Sequence, residues 1–299
     1  MRVIVTGALG LLGRSVTAML ADEGHWVIGY DRLAPVEARR DLVRLDLSGI
    51  SGDFRWPDGT DVVLHLAGVW DPPVPSGAGL QHQIQANVEA VARSVSACNG
   101  RTRRFVYVSS MSVYGRANTV PSREEETPFP DNWYGRTKWL GEQACRLAGE
   151  TYPDLDIVIL RLAQVYGPGT PIRTLMYQLI DQAVTRGCIE MRCSPTMMRD
   201  HIHLSDATRA LVLAATVSFP PGVYNVGCGG HTVAHLGQCI AGACSQPIRL
   251  EFGCEPGQDK AIDPSKFISE TAFNPVIPLC DGVADEVGKY IAMKSGVPV

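Results

Sequence analysis

Through the first half of the chain, short apolar runs alternate with longer stretches in which apolar residues recur every three or four positions. The runs Val3-Ile4-Val5, Trp26-Val27-Ile28-Gly29-Tyr30, Val62-Val63-Leu64-His65-Leu66, Phe105-Val106-Tyr107-Val108 and residues 157–161 are rich in β-branched and aromatic side chains. Each reads as a strand buried on both faces. Between them, residues 12–23, 83–98 and 134–149 carry helical spacing. This alternation predicts an α/β fold with a doubly wound parallel sheet and helices on both faces.

Beyond Gly167-Pro168-Gly169 the pattern loosens and proline and glycine become frequent. Helical spacing recurs at 174–186, 205–216 and 233–244, and a smaller mixed α/β lobe for the substrate is expected here. The division is set as a larger domain over 1–166 and a smaller lobe over 167–299. It is not a clean cut, because Gly222-Val223-Tyr224-Asn225-Val226 again has the character of a strand. The chain is expected to return to the sheet near 200–228.

A chain of 299 residues with 45% hydrophobic content has enough material for a large core. Its net charge of -4 gives no basic field for DNA or RNA, so nucleic acid is not expected as a partner. The apolar runs fall well short of the roughly 18 consecutive residues that a membrane helix needs. With no export signal legible at Met1-Arg2-Val3-Ile4-Val5, the expectation is a cytoplasmic protein without membrane association. The nine cysteines contain no CxxC pair, and they are expected to be reduced core thiols. Cys228, His231, His235 and Cys239 have spacings that zinc could use. They straddle a predicted strand end and helix start, however, and accidental spacing is preferred, with no metal expected.

Chemistry enters with Thr6-Gly7-Ala8-Leu9-Gly10-Leu11-Leu12-Gly13, which follows the first strand and opens the first helix. That is the context a dinucleotide fingerprint requires, and it makes the sheet one of the Rossmann type. Gly7 permits the tight turn, Gly10 admits a pyrophosphate to the backbone N–H groups, and Gly13 allows close packing of helix on strand. Leu9, Leu11 and Leu12 would contribute to the same loop and first helical turn, whose free N–H groups face the anion. Asp31 ends the second strand, where a carboxylate accepts bonds from the adenosine ribose and repels a 2′-phosphate. NAD is therefore expected over NADP, with Arg32 a neighbouring cation that pulls the other way. Asp46-Leu47 is a candidate for the adenine edge, and Leu66-Ala67-Gly68 for the floor beneath the ribose.

Tyr134 and Lys138 lie four residues apart on a predicted helix, which puts both on one face. For a phenol to act as a base near pH 7, its pKa must fall from about 10 to about 7, a difference of about 4 kcal/mol. An ammonium about 4 Å away at an effective dielectric of about 20 supplies a similar amount, so Lys138 is expected to lower the Tyr134 pKa. Ser110 follows the strand 105–108 and offers a hydroxyl at the carboxyl edge of the sheet, where ligands of such sheets bind. Trp70 and Trp133 flank this region in sequence, but residues of this kind are more often wall or core.

Taken together and in order, these stretches resemble the extended short-chain dehydrogenases/reductases, the NAD-dependent epimerase/dehydratase group that includes UDP-galactose 4-epimerase. The resemblance spans nearly the whole chain and includes Asn87, Ser109 to Gly115, Arg161-Leu162, Val165-Tyr166-Gly167-Pro168, Arg199-Asp200-His201-Ile202-His203 and Tyr224-Asn225-Val226-Gly227. It implies that Tyr134 is the acid/base, that Ser110 polarises the substrate oxygen, and that Lys138 lowers the tyrosine pKa and bonds the nicotinamide ribose. Ser109 would join the cofactor contacts, Asn87 would be structural, and Arg199 would reach the substrate diphosphate. A surface ion pair between Arg199 and Asp200 is the plainer alternative. The family also implies a homodimer through a four-helix bundle that uses the helix bearing Tyr134.

Three departures narrow the expectation. Met111 and Ser112 follow Ser110 where dehydratases carry acidic or other proton-transfer groups, and a thioether cannot relay a proton. Gln164 stands where epimerases usually have a substrate-contacting asparagine. The segment Cys254-Glu255-Pro256-Gly257-Gln258-Asp259 matches the family's RxGD stretch without its arginine. The expected function is thus a sugar or nucleotide-sugar 4-epimerase with transient hydride transfer to bound NAD. The rivals are a reductase or dehydrogenase with net redox, and a non-catalytic NAD-sensing protein.

Overall fold

Seven parallel strands run side by side in the computed structural model, which describes residues 1–33, 41–50, 52–70, 77–98, 100–115, 119–171, 174–255 and 257–295. The first half of the chain supplies β1 (Arg2–Thr6), α1 (Leu11–Asp22), β2 (Trp26–Asp31), β3 (Leu42–Arg44), β4 (Val62–His65), α2 (Gly77–Ile84), α3 (Ala90–Ser96), β5 (Arg104–Ser110), α4 (Trp133–Thr151) and β6 (Asp156–Leu162). It continues through β7 (Gln164–Tyr166), α5 (Leu175–Arg186), β8 (Cys188–Cys193), β9 (Met198–Arg199), β10 (His201–His203), α6 (Leu204–Thr216) and β11 (Gly222–Val226). The last elements are β12 (His231–Thr232), α7 (Val233–Ala243), β13 (Arg249–Glu255), α8 (Ser265–Thr271) and α9 (Leu279–Lys294). The sheet order is β3-β2-β1-β4-β5-β6-β11, the doubly wound arrangement expected of a Rossmann fold.

Alternation along each strand divides the core between the two faces. Val3, Val5, Val106 and Leu160 point to one side, where Val16 and Leu20 of α1 and Ala207 and Leu211 of α6 cover them. Ile4, Val63, Phe105 and Ile159 point to the other, under Val91 and Val95 of α3 and Cys145 and Ala148 of α4. The strand at 222–226 lies parallel to β6 and α6 packs on α1, so the chain returns to the sheet through α6 and β11, while β10 pairs with β7 in a separate two-stranded sheet. Buried Arg104 locks this return by donating to the carbonyls of Ala214, Val217 and Phe219 at and beyond the end of α6, and to Asp156 at 3.2 Å. The orphan carbonyls of a helix C-terminus are a favourable place for that cation.

The helix expected over 83–98 starts earlier, at Gly77, and changes to a single π-helical turn at Gln85–Glu89 before α3. The rest of the chain forms a second core in which α5, α7 and α9 pack over the parallel pair β8–β13. One expectation is corrected here. Cys239 of α7 and Cys280 of α9 are joined in a disulfide, with Cα atoms 4.7 Å apart, so the cysteines are not all free thiols; the other seven are. The spacing-based quartet also comes apart. His231 hydrogen-bonds His201, whereas His235 and Cys239 pair with each other at 3.8 Å.

Candidate active site

The carboxyl ends of β1, β4 and β5 converge where the order of connections reverses between β1 and β4, the crevice in which open α/β sheets bind ligands. Gly7 has φ +68, and a β-carbon there would lie 2.8 Å from the Ala67 nitrogen; at Gly13 it would lie 2.0 Å from the Gly7 carbonyl oxygen. Only glycine lets the loop fold this tightly under the helix. Gly10 caps α1 with no side-chain hydrogen bond, and the first turn carries no acidic residue. The N–H groups of Leu11, Leu12 and Gly13 thus remain for an anion.

Both Asp31 oxygens accept backbone bonds, one from Leu9 at 2.9 Å and one from Leu33 at 3.0 Å. A carboxylate has about four acceptor positions, so the same group can tie the glycine loop to β2 and still receive ribose hydroxyls. A cavity of about 360 Å³ opens from this point and is lined by Gly7, Leu9, Gly10, Asp31, Arg32, Asp46, Leu47, Leu66, Ala67 and Gly68, all expected from the sequence. The Asp46 carboxylate is occupied locally. It accepts from Ser48 Oγ at 2.6 Å and from Ser48 N, and these bonds hold its pKa below the usual range. Leu33, Ser48, Val69, His82, Gln85 and Ala86 also line the cavity and were not anticipated. The last three lie on the helix that the sequence reading started at residue 83, and the π turn shifts its periodicity. Arg32 and His82 meet at 3.3 Å across the exposed rim.

Asn87 fixes the floor of the site. Its Oδ1 accepts from Val69 N at 2.9 Å, and its Nδ2 donates to the Val69 carbonyl and to Thr137 on α4. Lys138 reaches under the same floor. A β-carbon at Gly68 would fall 3.2 Å from its Nζ, so the missing side chain lets the ammonium pack beneath Gly68, which itself lines the cavity. Lys138 Nζ donates to the Val108 carbonyl at 2.9 Å and stands 5.0 Å over the Tyr107 ring.

Tyr134 and Ser110 are brought together by the first turn of α4, where Asn132 caps the helix by accepting from Gly135 N at 2.8 Å. The expected electrostatics need correction. Burial pushes the Tyr134 phenol up to about 12, offset only by the hydrogen bond from Ser110, and pushes Lys138 down to about 8. Desolvation dominates at both groups, because each loses water on entering the protein, and the charges that oppose it at Lys138 are those of Cys145 and Glu142. Ser109 also departs from its expected contact. Successive strand residues face opposite ways, and its hydroxyl donates to buried Glu142 at 2.6 Å. Glu142 in turn receives Arg161 Nε at 3.0 Å and Nη2 at 2.8 Å.

The substrate-side residues are spread more widely. Arg199 lines a second cavity, of about 350 Å³, with Gln178, Gln182, Glu190 and Arg192. Its guanidinium donates to the carbonyls of Met198 and Gln258, and burial lowers its pKa. The alternative surface pair does not form. Asp200 is fully buried and accepts from the N–H groups of Cys228 and Ile262, while burial raises its carboxyl to about 6. Gln164 opens β7, with its backbone N–H on the Asp200 carbonyl. The segment lacking the family arginine frames Arg199 instead, since Asp259 accepts from Met198 N at 2.7 Å; Pro256 within it lies outside the described residues.

The profile of the NAD-dependent epimerase/dehydratase family matches residues 3–227. The UDP-glucose 4-epimerase of Mycolicibacterium smegmatis is 27% identical over 96% of this chain and 97% of its own. The dTDP-6-deoxy-L-talose 4-dehydrogenase (NAD(P)(+)) of Kitasatospora kifunensis is 31% identical over 83% of this chain and 81% of its own. Among solved structures, MoeE5 in complex with UDP-glucose and NAD superposes with a TM-score of 0.81 at 28% identity, covering 98% of this chain and 100% of that one.

Proposed function

Because the chain belongs to the NAD-dependent epimerase/dehydratase family, we propose that it is a nucleotide-sugar 4-epimerase that inverts one carbon by transient oxidation. The observation that carries this reading is the Ser110–Tyr134 hydrogen bond at the start of α4, with Lys138 one turn further on and packed beneath Gly68 of the glycine-lined cavity. Bound NAD supplies a hydride acceptor and a positive charge. Tyr134 takes the proton of the sugar hydroxyl and later returns it, while Ser110 holds the same oxygen. Bringing the phenol from about 12 to near 7 takes about 7 kcal/mol. An ammonium about 4 Å away would supply about 4 kcal/mol at an effective dielectric of about 20, and Lys138, one helical turn from Tyr134, is assigned that part of the work.

Arg192 and Arg199 give the second cavity two cations suited to a diphosphate, with Arg192 available where the family arginine is missing. Gln164 is assigned to the sugar. Met111 after Ser110 leaves no proton relay for dehydration. The second reading, a dehydrogenase with net redox, is favoured by the 31% identity to the Kitasatospora enzyme.

We also place the protein in the cytoplasm, in keeping with its seven free cysteines, and read it as a homodimer through the outer face of α4. No helix among the described residues is long and apolar enough to cross a membrane.

The test is purification without added nucleotide, followed by gel filtration. The epimerase reading expects NAD to co-elute and UDP-glucose to interconvert with UDP-galactose with no cofactor added. Tyr134→Phe should abolish turnover and spare NAD binding. Turnover that consumes NAD stoichiometrically would transfer the assignment to the dehydrogenase reading.

A further inference from the structure

Outside the sheet edge, a group of metal-ligating side chains that includes two sulfurs lies where α7 meets α9. His235 and Cys239 are four residues apart on α7, so they share a face, and Cys280 stands opposite in the first turn of α9. One ring nitrogen of His235 and the two sulfurs all lie within 4.8 Å of one another. His235 Nε2 is 3.8 Å from Cys239 Sγ, and the Cα atoms of the two cysteines are 4.7 Å apart. Tetrahedral zinc, with bonds of about 2.3 Å to sulfur and about 2.0 Å to nitrogen, holds its ligands about 3.5–3.8 Å from each other. The arrangement therefore needs only side-chain rotation once the sulfurs are separate. His235 is exposed, and it lines a cavity of about 410 Å³ shared with Cys228, His201 and His231, so an ion has a route in.

We propose that this cluster is a zinc site interchangeable with the disulfide: the dithiol form binds one Zn²⁺ through His235, Cys239 and Cys280, and the disulfide form does not. Water completes the fourth position on the cavity side, as in zinc sites with three protein ligands. The forward step balances with a small-molecule thiol as reductant: two such thiols hand their two electrons and two protons to the S–S bond and become a disulfide, Cys239 and Cys280 become thiols, and zinc binding then releases their two protons as the thiolates coordinate. In the reverse direction, a small-molecule disulfide accepts the two electrons, becomes two thiols, re-forms Cys239–Cys280 and expels the ion. Either form ties α7 to α9, the contact that closes the second core. In a reducing compartment the metal would take over the clamp that the disulfide provides under oxidation.

Cobalt(II) is the probe, because its tetrahedral thiolate complexes absorb strongly. The full-length protein is reduced with a water-soluble phosphine, which becomes the phosphine oxide, and is then titrated with Co²⁺ under nitrogen. One equivalent should give sulfur-to-cobalt charge-transfer and tetrahedral d–d bands that added Zn²⁺ removes, and the unreduced protein should give neither. Cys239→Ser and Cys280→Ser should each lose the bands. His235→Asn, at an exposed position, should keep its circular dichroism and NAD binding while Co²⁺ binds at least about tenfold more weakly, and Cys254→Ser should match the parent. Failure of the reduced protein to give a cobalt–thiolate band, or survival of that band in Cys280→Ser, overturns the proposal. So does equal Co²⁺ binding by the disulfide form.

Discussion

Lys138 is a buried cation, and the folded protein is less stable for holding it. Its pKa falls from 10.5 to about 8, so between those values the unfolded chain binds more protons than the folded one. Stability therefore rises as pH climbs from about 8 to about 10.5, and at neutral pH the group costs up to about 3 kcal/mol. Lys138→Met should raise the denaturation midpoint of the cofactor-free protein at pH 7 and eliminate turnover. Chemical unfolding at pH 7 and pH 10.5 checks it, since the gain should shrink at the higher value. Much of this residue scale was legible in the sequence. Gly7, Gly10, Gly13, Asp31, Tyr134 and Lys138 are set by a tight turn, a strand end and one helical turn, all of them local. The charge states were not, because burial of Tyr134 and the turning of Ser109 toward Glu142 depend on distant segments.

Between elements, the fully buried Arg161–Glu142 pair joins β6 to α4, the helix that bears Tyr134, and Ser109 brings in β5. Removing one member of such a pair leaves an uncompensated charge, typically a loss of about 3–5 kcal/mol. Glu142→Gln should accordingly unfold at markedly lower denaturant concentration, by about 3 kcal/mol or more. It should also lower kcat by disordering the Tyr134 helix, whereas an unchanged midpoint would show that the pair is not holding the elements together. At this scale the sheet strands could be read because burial on both faces writes continuous apolar runs. The helix α9 could not, since Gly282 and Gly288 dilute its helical signal. The reason for Gly282 is tertiary: a β-carbon there would meet Tyr166 Oη at 2.3 Å. The strands β8 and β13 write a different pattern, in which Ile189 and Met191 alternate with Glu190 and Arg192, and Leu250 and Phe252 with Arg249 and Glu251, so neither forms the continuous apolar run that marks the buried strands.

For the whole molecule, the outward face of α4 carries Arg136, Leu140, Gln143 and Leu147 at successive helical turns, and Leu147 is 65% exposed. Apolar residues aligned in this way favour a partner helix over water. Leu147→Arg should convert the expected dimer to a monomer in sedimentation velocity with the NAD site intact; a parent protein that already sediments as a monomer removes the homodimer reading. The seating of β11 beside β6 has one more consequence. Since the outermost strand is made from residues 222–226, a fragment ending at residue 166 would present the backbone of β6, with apolar Val158 and Leu160 on it, as an open template. Such a truncated piece should precipitate or pair strand to strand during expression, and the nucleotide-holding half should be obtainable in solution only as part of the longer polypeptide.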